Sequence, residues 1–124
     1  MKILIIIARV LLGLAFLVFG LNGFLHFINQ GPMPQGQAGA FVGALFMSGY
    51  FYPISALQIA GGLLLLSGRF VALGLTLLGP IIVNIVLFHV FLAHNGPPPA
   101  IAVTVLALFL LWAYRDRFAP LLKA

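Results

Sequence analysis

The chain has 124 residues, 64% of them hydrophobic and only 6% charged. A soluble domain is about a quarter charged, so a water-facing globular fold is excluded, and the length allows a single domain. The net charge of +5 comes from six basic residues against one acid. None lies between Val10 and Gly68 or between Phe70 and Tyr114. Cations confined to the ends of apolar runs follow the positive-inside rule, not the basic polar face of a nucleic-acid binder.

In chain order, the first apolar run predicts a helix over residues 3–27. At 1.5 Å per residue it crosses a hydrocarbon core of about 30 Å with some tilt. It is too long for a signal-peptide core of about 7–15 residues. Arg9 also interrupts it, so the segment is expected to be retained. The polar, proline-punctuated stretch 29–34 is a loop. Residues 38–67 would make one helix of about 45 Å, too long for a single span, and Pro53 is expected to break it. The reading is a short interfacial helix over 38–48 and a second span over 52–67, with Tyr50, Phe51 and Tyr52 at the headgroup level.

Gly68 and Arg69 form a tight turn into a third span over 70–93. Pro80 cannot donate to the carbonyl of Thr76, which predicts a kink there. Asn95 to Pro99 is a loop, 100–114 is the fourth span with Trp112 and Tyr114 as interfacial anchors, and 115–124 is a cytoplasmic tail. Lys2, Arg69, Arg115, Arg117 and Lys123 then fall on one side, which puts both termini in the cytoplasm. The expected fold is an all-α membrane protein, an antiparallel bundle of four transmembrane helices with a short interfacial helix between spans one and two.

With no cysteine in the chain, disulfides, thiolate metal sites and dithiol redox chemistry are excluded. Asp116 is the single carboxylate side chain, which removes paired-carboxylate catalysis. No phosphate-binding, zinc-protease or nucleophile-elbow motif occurs. The chain reads as one that is not an enzyme by itself.

Polar side chains inside a span each need a reason. Arg9 either snorkels to the headgroups or bonds Gln58, which a count of helix rise puts at comparable depth. Nearer the outer face, Asn22 and His26 share one face of the first helix at i and i+4. Asn84 and His89 lie in the outer half of the third span, with His94 at its end. Tyr50 and Tyr52 enter at the same level. Such a pocket could hydrogen-bond a quinone carbonyl. Paired histidines could instead ligate haem or another metal, or one histidine a pigment. The alternative is that these groups bond one another and pin the bundle. No ligand spacing here is diagnostic of a metal.

The first helix carries Arg9-Val10-Leu11-Leu12-Gly13 and Phe19-Gly20-Leu21-Asn22-Gly23-Phe24. The second span carries Gln58-Ile59-Ala60-Gly61-Gly62, closing on Ser67-Gly68-Arg69; the third has Pro80, Asn84 and His89. In this order the chain resembles the DoxX-like family of small bacterial four-helix membrane proteins, over almost its whole length. Gln58 stands where many of that family have glutamate, so a protonatable group is missing. The resemblance implies a bacterial inner-membrane protein, an accessory or anchor subunit of a quinone-linked redox complex. Two other readings stay open: a purely structural small subunit of a larger respiratory or photosynthetic complex with no ligand of its own, and an oligomeric small-molecule permease. The bilayer and a larger membrane complex are the expected partners, with a homo-oligomer a further option and nucleic acid excluded.

Overall fold

The computed structural model describes residues 1–25, 35–92 and 98–122, and all regular structure among them is helical. Four helices form the body: α1 (Lys2–Leu25), α3 (Phe51–Ser67), α4 (Val71–Leu87) and α5 (Pro98–Ala113). A shorter α2 (Gly36–Ser48) precedes α3, and α6 (Arg115–Phe118) leads into a 3₁₀ turn, Ala119–Leu122. Beyond Leu87, α4 continues as a π-helical turn, Phe88–Leu92. Each of α1 and α4 packs against both α3 and α5, so the four make a closed square, each antiparallel to its neighbours.

The core is narrow. Leu12, Leu65, Leu78 and Leu110, one from each helix, are fully buried at its centre. Outward, the surface stays apolar: Ile3, Leu14, Leu63, Leu73, Val83, Val105 and Leu108 are all exposed. Only 28% of the most apolar window of α1, and the same share of that of α4, is buried. An exterior of this kind suits hydrocarbon rather than water. α1 and the combined α4 and π turn are long and apolar enough to cross a membrane, and the α2–α3 pair qualifies as one broken span. Two hydroxyls within the helices bond back to their own backbone. Thr76 and Thr104 donate to the carbonyls of Ala72 and Ala100, each at 2.8 Å, the local solution that lipid-facing hydroxyls require.

The break in the long middle run is sharper than proline chemistry alone suggests. α2 and α3 meet at 88°, and the hinge is Gly49, not Pro53. Gly49 takes φ 77°, a left-handed conformation that caps α2 at low cost only in glycine. Pro53 instead sits in the first turn of α3, where a missing N–H breaks no helical bond. Through Pro80, α4 continues without a break.

α1 and α3 approach closely enough for backbone contact. A Cβ on Gly62 would lie 2.7 Å from the carbonyl oxygen of Gly13 and 2.9 Å from the backbone nitrogen of Leu17. This contact sets the register of the pair, and with it the depth of every polar residue. Arg9 is thereby brought level with the C-terminus of α3. Its Nη1 donates to the carbonyl oxygen of Leu65 at 2.9 Å, beside Gly68, which ends the helix at φ 73°. Of the two alternatives for Arg9, headgroup snorkelling or a bond to Gln58, the bond to Gln58 does not form. α1 begins well below the α3–α4 turn, so counting both helices from their ends misaligns them.

Candidate functional site

At the end of the square away from the N-terminus, the helices part around a cavity of about 580 Å³. α1 contributes Phe16, Phe19 and Asn22, while α3 contributes Phe51, Ser55 and Gln58. His89 enters from the π turn, and Ala100 and Val103 from α5. α2 lies across the mouth with Leu45 and Phe46. Aromatic contacts hold it there: Phe41 against Phe88 at 5.7 Å and Phe46 against Phe51 at 4.6 Å between ring centroids.

The polar lining comes from three helices. Asn22 is 7% exposed and Ser55 5%. Ser55 faces α1 so closely that a Cβ on Gly23 would collide with its Oγ, which makes Gly23 the residue that admits the hydroxyl. Gln58, one turn further along α3, shares the face of Ser55 by its i+3 spacing. It is half-buried, and among the described residues nothing hydrogen-bonds its amide. His89 is half-buried and stands edge-on to Phe88 at 5.2 Å. The cavity thus combines apolar and aromatic walls with a few convergent polar groups, the usual make-up of a small-molecule site. Toward Arg9 it is closed by the leucines of the core.

Of the residues singled out in the sequence, Asn22 and His89 come together here. Asn84 does not. It is exposed, and its Nδ2 donates to the carbonyl oxygen of Pro80 at 2.9 Å. Five residues on an α-helix turn through about 140° beyond a full revolution, so lying in the same outer half of α4 never meant a shared face. His26 and His94 lie outside the described residues, as does any ligation by paired histidines. Among the described residues no cluster of three or more metal-ligating side chains occurs. Ser55 and the cavity role of Gln58 went unread in the sequence. The usable signal was their i, i+3 spacing, in line with Gly62 on the face that α1 covers.

No family model, curated protein or solved structure matches the chain.

Proposed function

We propose that the chain is a four-span inner-membrane protein of the DoxX-like kind with both termini in the cytoplasm. It serves as an accessory or anchor subunit of a quinone-linked redox complex and holds the quinone ring in the cavity at Asn22, Gln58 and His89. The observation that carries this reading is the cavity itself: an aromatic-walled space with amide and imidazole groups converging from different helices. A quinone offers a flat apolar ring with two carbonyl acceptors. An amide N–H and an imidazole N–H are donors suited to them, and the aromatic walls suit the ring.

Several features support the membrane topology. α3 and α5, of 17 and 16 residues, span about 24–26 Å, close to the hydrocarbon thickness of a thin bilayer. In the antiparallel square, Lys2, Arg69, Arg115 and Arg117 share one end, and the opposite loops carry no charge. Arg115 folds back on Trp112, with its guanidinium carbon 4.9 Å from the ring centroid, an arrangement common at the headgroup level. The closed core below the cavity favours holding a ligand over conducting one.

The test is binding of a decyl-tailed benzoquinone to the purified full chain in mild detergent, followed by recovery of the native complex. Saturable binding that weakens at least tenfold in His89→Ala is expected, together with a co-purifying oxidoreductase whose quinone-dependent activity falls with the same substitution. Absence of saturable binding, both alone and in the complex, overturns the proposal.

A further inference from the structure

A second, smaller cavity of about 230 Å³ runs along the seam between α4 and α5. Val86 and Val90 wall it on one side, and Ile101, Thr104 and Val105 on the other. It shares two residues with the interior cavity, His89 and Ala100. These two side chains are therefore the partition between an inner chamber that holds the polar groups and an outer, apolar-walled trough. The trough opens on the outer surface, since Val90, Ile101 and Val105 are each more than half exposed. Its one hydroxyl, on Thr104, is spent on the carbonyl of Ala100.

Two of the other three seams, the opposite one and one of the two flanking ones, are built differently. Between α1 and α3 the backbones touch at Gly13 and Gly62. Between α3 and α4, a Cβ on Gly74 would lie 3.2 Å from the carbonyl oxygen of Gly61. Helices in such contact leave no room for a chain to pass. Beside the cavity, the α4–α5 seam is instead held by a small residue, Ala100, and an imidazole on a π turn. Such turns interrupt the regular bonding of a helix and are frequent at functional sites.

We infer that chamber and trough form one bipartite site for an amphiphile. Its ring sits inside against Asn22, Gln58 and His89; its alkyl or isoprenoid tail leaves between His89 and Ala100 and lies in the α4–α5 trough. The inference rests on the quinone reading of the chamber and narrows the substrate to lipid-tailed quinones drawn sideways from the bilayer. A purely polar occupant would have no use for the trough. A simple lipid tail would have none for the amides within.

The experiment compares two benzoquinones with the same ring, one without a tail and one with a decyl tail, on the full chain in nanodiscs. Wild type is set against Val105→Trp and Ile101→Trp, which fill the trough from its exposed walls. The tailed compound is expected to bind the filled variants about tenfold more weakly, as for the loss of roughly two methylene contacts, with tailless binding unchanged. In parallel, a photoreactive diazirine at the end of the tail is expected to label wild type at residues 86–90 and 101–105. If the tailed compound binds the filled variants as it binds wild type, or the label falls on α1 or α3, the trough assignment is overturned and the chamber reading stands. If neither quinone binds wild type, both are overturned.

Discussion

The guanidinium of Arg9 donates to the carbonyl of Leu65 across the α1–α3 interface, 2.9 Å away. The Leu65 carbonyl also accepts the capping N–H of Gly68 at 3.3 Å; the guanidinium takes its second lone pair and places a cation at the negative end of the α3 dipole. The neighbouring Gly68 leaves room for it, because a Cβ at that position would run into Nη1. Gly68→Ala is therefore expected to destabilise twice, through left-handed backbone strain and displacement of Arg9. The loss should be about 1–2 kcal/mol from the backbone alone, read as a lower thermal midpoint in detergent. Arg9→Lys, which keeps a donor, should cost less. Equal midpoints for Gly68→Ala and wild type would contradict this account.

Gly62 and Gly79 make a matched pair for the helix contact. A Cβ on Gly62 meets the backbone of Gly13 and Leu17, whereas one on Gly79 meets nothing within 4 Å. Gly62→Ala is expected to force α1 and α3 apart at a cost of about 1–3 kcal/mol. Gly79→Ala should stay within about 0.5 kcal/mol of wild type. Reversible unfolding followed by circular dichroism measures both, and reversal of their order would refute the contact.

Gln58→Leu separates stability from binding. The amide has no hydrogen-bond partner among the described residues, so removing it takes away an unpaired polar group rather than a bond. The empty protein is expected to be as stable as wild type or more so, by up to about 1 kcal/mol. Quinone affinity should fall about tenfold. A large loss of stability would mean that the amide supports the fold.

Asn84→Ala and His89→Ala distinguish depth from direction. Asn84 is outside the cavity and bonded to its own helix, so its truncation should leave quinone affinity unchanged. His89→Ala should lower affinity at least tenfold. Titrating both variants with the same tailed quinone gives the comparison, and equal losses would argue against a site centred on His89.

The absence of cysteine makes topology directly readable by single-cysteine labelling. Gln35→Cys is expected to react with a membrane-impermeant maleimide from the periplasmic side. Arg69→Cys and Arg117→Cys should react only once the cytoplasmic side is exposed. Labelling of Gln35→Cys and Arg69→Cys from the same side would contradict the topology.

Composition and charge were enough to read helices at 3–27, 38–48, 52–67, 70–93 and 100–114, and the observed elements end within a few residues of these. What hydropathy could not supply was rotation and register. Counting rise from each helix end puts Gln58 within reach of Arg9 as one of two alternatives for it, whereas the true offset is set by the backbone contact of Gly13 with Gly62. Asn84 and His89 share the outer half of the third span, but that places neither on a given face. Ser55 passed unnoticed because a hydroxyl in an apolar run is ordinarily satisfied by its own helix. Its proximity to Gly23 emerges only once α1 and α3 are laid side by side. The hinge at Gly49 was masked by Pro53, a stronger breaker on paper but one lodged in the turn that tolerates it.

The π turn over Phe88–Leu92 gives the bearing of His89 an unusual origin. A widened turn accommodates one residue more than the α-helix would, and that surplus rotates everything after it. Deleting Phe88 would carry the imidazole to the heading its neighbour now holds, toward Phe41 of α2. The aim of this side chain thus depends on the length of the chain as well as on its contacts, among them the ring of Phe88. A scan by substitution would pass over it, whereas the loss of a single residue would misdirect it.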